Sequence, residues 1–277
     1  MTKKLINLHL VSDSTGETLS SVARAVLSQF ETVESNDFIW SMIRTKPQLD
    51  RAIEAIKNKP GIVLYTIMHD NLVEELRKEC FKLKIPCIPV LSHIIAEFSN
   101  YLNENICHVV GRQHLLDGEY FSRVDAISYT ITHDDGQSSW DLFEADVVII
   151  GVSRTSKSPT SVYLSCRGYK VANIPFVSIE TMPSSLFELK KPLIVGLVIN
   201  PEKLIQIRQS RLNALGNDIA NNYTDLEAIK FEVAESRKLF SKLNCPVIDV
   251  TKKSVEETSA RIIQLIQEKK LKENFNK

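Results

Sequence analysis

Short apolar runs rich in β-branched residues alternate with segments of helical spacing along much of the chain. In the first hundred residues the apolar runs lie at 5–11, 61–67 and 85–91. Segments of helical spacing lie between them, at 14–30, 47–56 and 70–83. This alternation is typical of parallel sheets whose strands are joined by crossover helices. We therefore predict an α/β fold that begins with an N-terminal parallel-sheet domain.

A second alternation begins near residue 145 and predicts a second α/β domain. Its predicted strands are at 145–150, 170–176, 192–199 and 247–250. The predicted capping boxes pair Ser14 with Glu17, Thr224 with Glu227, and Ser254 with Glu257. The run AISYTIT at 126–132 is β-like in composition. We assign 1–105 to the N-terminal domain, 106–143 to a connecting region with functional loops, and 144–277 to the C-terminal domain.

Composition and charge exclude several classes of protein. Lysine plus arginine and aspartate plus glutamate number 34 each, and a net charge of zero argues against broad nucleic-acid affinity. No apolar run is long enough to span a bilayer, and no signal peptide of adequate length follows Met1. The five cysteines include no C-x-x-C pair, which favours reduced thiols. We expect a cytoplasmic protein without nucleic-acid or membrane partners; a homodimer stays open, because the sequence does not determine the oligomeric state.

The segment at 151–158 is the strongest chemical signal. It resembles the Walker A pattern G-x-x-x-x-G-K-[ST], except that Ser156 stands where the second glycine is usual. An apolar strand precedes the segment and a helix follows it, so its backbone N–H groups would face phosphate oxygens. The predicted phosphate cradle comprises Gly151, Val152, Ser153, Arg154, Thr155, Ser156, Lys157 and Ser158. Lys157 would reach the β-phosphate and Ser158 would hold Mg²⁺; the alternative is a serine-rich turn that caps a helix.

Five separated strings give the chain a family resemblance. They are VSDSTGET at 11–18, HDDG at 133–136, GVSRTSKSPTSVYLS with GYKVANIPFV at 151–177, INPEKLIQIRQSRLNALG at 199–216, and IDVTKKSVEET at 248–258. Together they resemble the regulatory proteins of pyruvate, phosphate dikinase and phosphoenolpyruvate synthase. That family accepts serine at the position of Ser156. The resemblance spans nearly the whole chain, and GVSRTSKS looks closer to the dikinase subgroup.

The resemblance implies an unusual phosphotransferase. Such an enzyme is a bifunctional serine/threonine kinase and phosphorylase that uses ADP, inorganic phosphate and Mg²⁺. It moves the β-phosphoryl group of ADP onto a threonine of the dikinase, whose catalytic histidine already carries phosphate. In the other direction, inorganic phosphate removes the phosphoryl group and leaves as pyrophosphate. Both reactions place two phosphate groups and a threonine oxygen in one pocket, which a P-loop suits.

The HDDG string supplies the candidate catalytic residues beside Lys157. Asp134 or Asp135 could deprotonate the target threonine or hold Mg²⁺ through water. The alternative is that Asp-Asp-Gly is simply a turn. His133 could orient the incoming threonine, although a lone histidine is more often structural. Arg154 could clamp a phosphate or be an ordinary solvated loop charge.

Three further candidates come from the spacing of polar residues. Asp13 and Ser14 follow the first strand and could form a second anion site, although the predicted cap explains Ser14 equally well. Arg208 and Arg211 share a helix face and could close over phosphates, or could belong to a solvated face. Asp249 ends a short apolar strand, as a Mg²⁺-binding Walker B aspartate would, but aspartates are also common in turns.

Other functions stay open. A P-loop small-molecule kinase or NTPase would share the loop but prefer ATP and need no protein acceptor. A non-catalytic partner of the dikinase would bind nucleotide without turning it over. The same chemistry could act on phosphoenolpyruvate synthase. Cys107, His108 and His114 do not predict a zinc site, because no fourth ligand lies at suitable spacing.

Overall fold

The computed structural model describes residues 3–107, 109–110, 118–215 and 223–275. The chain forms two compact units, Met1–Leu115 and Leu116–Lys277. The segment 106–143, assigned above to a connecting region, is therefore divided between the two units. His108 and His114 lie outside the described residues.

The first unit is a parallel α/β sheet. Its elements are β1 (Lys4–Ser12), α1 (Glu17–Leu27), β2 (Val33–Trp40), α2 (Lys46–Asn58), β3 (Ile62–Thr66), α3 (Asp70–Lys82), β4 (Cys87–Pro89) and α4 (Ser92–Leu102). All neighbouring strands are parallel, in the order β2-β1-β3-β4. Alternate residues of β1 point to opposite faces of the sheet. Leu8 and Leu10 join the α1 cluster, whereas Val11 joins the cluster beneath α2 and α3.

The second unit repeats this topology. Its elements are α5 (Gly118–Thr132), β5 (Val147–Gly151), α6 (Lys157–Ser165), β6 (Val171–Pro175), β7 (Leu193–Val198), α7 (Pro201–Leu215), α8 (Leu226–Lys242), β8 (Val247–Asp249) and α9 (Val255–Phe275). The parallel strands lie in the order β6-β5-β7-β8. In both sheets, therefore, the first strand along the chain lies between the second and the third, and the fourth lies beside the third. Every residue of β5 is buried, because helices cover both faces of this central strand. The two-domain α/β prediction is confirmed.

Several local predictions were wrong for identifiable reasons. The β-like run at 126–132 is the end of α5: Ala126 and Thr130 are buried four residues apart, which is helical spacing. Helix α8 is capped by Asp225, whose carboxylate accepts from the N–H of Ala228 at 2.8 Å, and not by Thr224. Helix α1 begins after Gly16, which has φ +82°, so Ser14 is not its cap.

Other local predictions were confirmed, and two elements were not anticipated. The box at the start of α9 forms, since the N–H of Ser254 donates to Glu257 and the N–H of Glu257 donates to Ser254. Strand β2 and helix α4 were not predicted. No helix in the described ranges is both long and apolar enough to cross a bilayer.

Candidate active site

The loop between β5 and α6 leaves the sheet where the strand order reverses. Strand β5 lies between β6 and β7, and the carboxyl ends of such strands are where open α/β sheets bind ligands. Gly151 ends β5 in close contact with its neighbours. A Cβ atom there would lie 2.7 Å from Thr155 Oγ1 and 2.9 Å from the carbonyl oxygen of Leu197. Only glycine fits, which explains the first glycine of the motif.

Two residues of the loop adopt left-handed backbone conformations. Arg154 has φ +75°, and Ser156, at the position of the second Walker glycine, has φ +60°. The hydroxyl of Thr155 donates to the carbonyl oxygen of Val152 at 2.9 Å, and this hydrogen bond within the loop stabilises its conformation. The chain then enters α6 at Lys157, so the positive end of the helix dipole lies at the loop.

Lys157 is a buried cation without an ion pair. Its side chain is 6% exposed, and Nζ donates to the carbonyl oxygen of Val152 at 3.1 Å. Burial lowers its pKa from 10.5 to about 8, although the charges of Asp135 and Asp134 oppose this change. No carboxylate of the described residues forms a salt bridge with it. An anion bound at the loop would therefore supply the countercharge that Lys157 lacks.

Asp134 belongs to a small polar network. Its Oδ1 accepts the hydroxyl of Ser158 at 2.9 Å and also accepts the amide of Asn173. The same amide donates to Ser158 Oγ at 2.9 Å. Asn173 Oδ1 is buried and has no hydrogen-bond partner in the described part of the chain. Polar atoms of three residues thus converge beside the loop: an oxygen from the turn, an oxygen from α6 and an amide nitrogen from β6.

Asp135 differs from its neighbour because its carboxylate is free. It lies in a 3-10 turn spanning Asp134–Gly136, has φ +54°, and is exposed. The structure gives it no hydrogen bond or ion pair with any described residue. Gly136 follows with φ +77°, where a Cβ atom would lie 3.2 Å from Pro175 Cδ. The turn therefore packs closely against the end of β6, and it places Asp135 beside the loop between β5 and α6.

These groups surround a pocket of about 280 Å³. It is lined by Asp135, Ser153, Arg154, Ser156, Lys157, Ser158, Pro159, Pro175 and Ile207. Pockets that enclose whole drug-sized ligands usually measure about 300–1,000 Å³. The pocket is smaller than these, and its size suits phosphate groups.

The structure does not bring His133 to this pocket. The ring is 3% exposed and stacks on Tyr129 with centroids 3.7 Å apart. Its Nδ1 donates to the carbonyl oxygen of Tyr129 at 2.6 Å, and its Nε2 lies 2.6 Å from the Asp141 carboxylate. The carbonyl of His133 accepts from the N–H of Asn173 at 3.0 Å. His133 therefore anchors the turn that carries Asp134 and Asp135 to β6.

The two arginines of α7 have different surroundings. Arg208 is 2% exposed, and its guanidinium donates to both carboxylate oxygens of Glu232 and to the carbonyl oxygen of Ser153. It also stacks against Tyr223 at 4.6 Å. Arg208 thus stabilises the loop by donating to the backbone carbonyl oxygen of Ser153. Arg211 is exposed and does not line the pocket.

Two other candidates are not among the residues that line the pocket. Asp249 ends β8, which is separated from β5 by β7, and its carboxylate accepts from the N–H of Thr251 at 2.8 Å. Asp13 belongs to the first unit, where its Oδ2 accepts from the N–H of Met68 at 2.8 Å and burial raises its pKa. Asp13 and Ser14 line a separate pocket of about 210 Å³ in that unit.

Sequence reasoning missed the residues that hold the site together. Asn173 had a usable signal, since it is the only polar residue in the strand VANIP. Asp141 and Glu232 had none, because they lie among other charged residues on a turn and a surface helix. Their partners become evident only when the chain is folded.

Comparison with known proteins identifies the family of the chain. The model of the family described as kinase/pyrophosphorylase matches residues 8–263. The chain belongs to this family. Proteins of Anaplasma phagocytophilum and Rhizorhabdus wittichii are 48% and 46% identical to it, over 96% and 97% of this chain and 95% and 98% of their own. A protein of Caulobacter vibrioides is 47% identical over 94% of this chain and 82% of its own. All three are named "Putative pyruvate, phosphate dikinase regulatory protein".

Membership identifies the chain as a phosphotransferase of the kinase/pyrophosphorylase family. The matched residues contain the whole pocket, from Asp135 to Ile207.

Proposed function

We propose that this chain regulates pyruvate, phosphate dikinase by moving a phosphoryl group in two directions. In one direction the β-phosphoryl group of ADP passes to a threonine of the dikinase. In the other, inorganic phosphate takes that group from the phosphothreonine and leaves as pyrophosphate. One observation carries the proposal: Lys157 and Asp135 line the same pocket at the end of β5, and within the described part of the chain Lys157 has no ion pair and the Asp135 carboxylate has no hydrogen bond. The names of the relatives support the choice of target.

In the kinase direction, the threonine hydroxyl oxygen attacks the β-phosphorus of ADP. A new P–O bond forms, the bond from the β-phosphorus to the bridging oxygen breaks, and AMP leaves with that oxygen. The hydroxyl proton passes to Asp135, whose carboxylate has no competing hydrogen bond from any residue that the structure describes. Lys157, Arg154 and the amino end of α6 hold the phosphate oxygens and stabilise their charge.

The phosphorylase direction uses the same groups. An oxygen of inorganic phosphate attacks the phosphorus of phosphothreonine, and the bond to the threonine oxygen breaks. Asp135 takes the proton that the attacking phosphate oxygen gives up and passes it to the threonine oxygen, and pyrophosphate remains on the loop. The two phosphates of pyrophosphate occupy the positions that the phosphates of ADP occupy in the kinase reaction. One pocket therefore serves both reactions, and the reactants present decide the direction.

The donor set beside the loop fits Mg²⁺. Hard divalent cations prefer oxygen ligands and are often held by one or two carboxylates together with substrate phosphates. Ser158 Oγ and Asp134 Oδ1 are such oxygens. Bound there, Mg²⁺ would neutralise phosphate charge. Asp249 is not included, because it lies at the end of β8.

The experiment uses dikinase that carries phosphate on its catalytic histidine, together with ADP labelled in the β-phosphate. Label should appear on a dikinase threonine, with one AMP formed for each threonine labelled. Lys157→Ala should lose this transfer by at least about 100-fold. Lys203→Ala, which removes an exposed lysine of α7, is the matched control and should transfer normally.

The alternatives give different results in the same assay. Label on phosphoenolpyruvate synthase, but not on the dikinase, would keep the chemistry and change the target. Turnover of ATP on a small-molecule acceptor without either protein would identify a P-loop small-molecule kinase. Nucleotide binding without transfer to any acceptor would leave a non-catalytic sensor and overturn the proposal.

A further inference from the structure

Arg154 lines the phosphate pocket, but its own position does not fix its guanidinium. Its side chain is exposed, its backbone has φ +75°, and no carboxylate of the described residues forms an ion pair with it. A long exposed side chain samples many rotamers, and holding it in one of them costs conformational entropy. An arginine that clamps phosphate at this place therefore needs a neighbour that holds its head group in advance.

The hydroxyl of Tyr223 is such a neighbour. Nε of Arg154 donates to the hydroxyl oxygen, with 3.4 Å between the two atoms. This hydrogen bond is long, so its main effect is on the direction of the guanidinium. It uses Nε, which leaves both terminal nitrogens of Arg154 for phosphate oxygens, and such a pair of nitrogens matches the geometry of phosphate.

The hydroxyl of Tyr223 contacts the loop at two adjacent residues. Burial alone would raise the pKa of Tyr223, but hydrogen bonds with Ser153 and Arg154, together with the charges of Arg154 and Arg208, lower it. Ser153 and Arg154 both line the pocket. Tyr223 lies 69 residues from Arg154 along the chain, so this contact exists only in the folded unit.

A buried ion pair fixes the position of Tyr223 in turn. The guanidinium of Arg208 donates to both carboxylate oxygens of Glu232, at 3.1 and 2.9 Å. Its Nη1 donates to the carbonyl oxygen of Tyr223 at 3.2 Å, and its central carbon lies 4.6 Å from the centre of the Tyr223 ring. Its Nη2 also donates to the carbonyl oxygen of Ser153, at 3.3 Å. One buried group therefore sets the distance between Tyr223 and the loop.

We propose that Tyr223 is a positioning residue of the pocket: its hydroxyl, fixed by Arg208, directs the guanidinium of Arg154 over the pocket, where it clamps phosphate. Tyr223 is not among the residues that line the pocket, so it acts through Arg154. Arg154 is then a phosphate clamp and not a solvated loop charge. The ligand is a pair of linked phosphates, as in ADP and pyrophosphate, and in this the inference rests on the proposed function.

Calorimetric titration of the full chain with pyrophosphate tests the proposal without a transfer reaction. Tyr223→Phe keeps the ring on Arg208 and removes the hydroxyl. It should raise the dissociation constant for pyrophosphate by about 5–20-fold, because the ligand must then order Arg154 itself. Arg154→Ala should raise it by about 30-fold or more, because the charged hydrogen bonds to phosphate are lost altogether.

Tyr163→Phe is the matched control. The hydroxyl of Tyr163, on α6, also accepts from an arginine, since Nη2 of Arg167 donates to it at 2.6 Å. The Arg167 guanidinium lies over the ring at 3.8 Å. This pair has the same chemistry, but neither residue lines the pocket, so the affinity for pyrophosphate should not change. Urea unfolding of every variant checks that the fold is retained.

The double variant Tyr223→Phe with Arg154→Ala separates positioning from a general structural role. Once Arg154 is gone, the hydroxyl has nothing to position, so the double variant should bind pyrophosphate within about twofold of Arg154→Ala alone. Wild-type affinity in Tyr223→Phe would overturn the proposal, and so would an additive loss in the double variant.

The transfer assay is read separately. Pyrophosphate binding that depends on Tyr223 and Arg154, with no transfer to the dikinase or to phosphoenolpyruvate synthase, would overturn the proposed function and leave the positioning role supported. Absence of pyrophosphate binding in the wild type would overturn the positioning role.

Discussion

Replacing Lys157 by methionine should make the phosphate-free protein more stable at pH 7 while removing phosphate binding. Burial lowers the pKa of Lys157 from 10.5 to about 8, so the charged side chain is about 3 kcal/mol less favourable in the folded chain than in the unfolded one. Methionine has a similar length and carries no charge. It removes one of the two donors to the carbonyl oxygen of Val152, the other being the hydroxyl of Thr155, and the lost hydrogen bond costs about 1–2 kcal/mol. The net gain is about 1–2 kcal/mol.

The sign of this effect should change with pH. The folded-state pKa of Lys157 lies below its unfolded value, so the penalty is fully present below pH 8 and disappears as the pH rises toward 10.5. Above pH 10.5 only the lost hydrogen bond remains, and the variant should be less stable than the wild type by about 1–2 kcal/mol. Phosphate at 100 times its dissociation constant should stabilise the wild type by about 2.7 kcal/mol and the variant not at all.

The assay is calorimetric unfolding of both proteins at pH 7 and pH 10.5, with and without phosphate. At pH 7 without phosphate, the melting temperature of Lys157→Met should exceed that of the wild type by about 5 °C. Lys203→Met, at an exposed lysine of α7, should change stability by less than about 0.5 kcal/mol at either pH. A Lys157→Met variant that is less stable than the wild type at pH 7, or a difference that does not depend on pH, would refute the reasoning.

Three further predictions concern the turn and the loop. Asp135→Asn should lower both transfer rates by at least about 100-fold, while the affinity for ADP measured by calorimetry changes only a few-fold. A loss of ADP affinity as large as the loss of transfer rate would refute the role of Asp135 as a base. Ser156→Gly should keep activity and raise the free energy of unfolding by about 0.5–1 kcal/mol, because φ is +60° there. Ser161→Gly, inside α6, should lower the free energy of unfolding by at least about 1 kcal/mol. Urea unfolding in which Ser161→Gly is the more stable of the two variants would contradict this. His133→Ala should cost about 2–3 kcal/mol of unfolding free energy, and a stability equal to the wild type would exclude an anchoring role.

The predictions from sequence succeeded where local pattern and tertiary position agree. Strand β5 is apolar throughout because it is buried on both faces, so its run of β-branched residues was unambiguous. The box of Ser254 and Glu257 depends only on residues three apart and was predicted correctly. The positive φ of Ser156 agrees with the usual glycine at that position of the motif.

The failures have a common physical cause, which is that tertiary packing decided between local alternatives. Strand β2 alternates half-buried and exposed residues at the edge of its sheet, so its apolar signal is weak. In α5, Tyr129 and Thr130 have β propensity, but their burial against β6 outweighs it. Asp134 and Asp135 have different surroundings because Asn173 and Ser158 contact the carboxylate of Asp134 and not that of Asp135.

The central claim is that one pocket carries both reactions, and parallel transfer assays test it most directly. Wild type, Lys157→Ala and Asp135→Asn would each be assayed with β-labelled ADP and dikinase, and with labelled phosphate and phosphothreonine-dikinase, following label into threonine and into pyrophosphate. The account predicts that each variant loses both transfers together. Loss of one transfer with the other at the wild-type rate would contradict it, because the two reactions would then use separate sites.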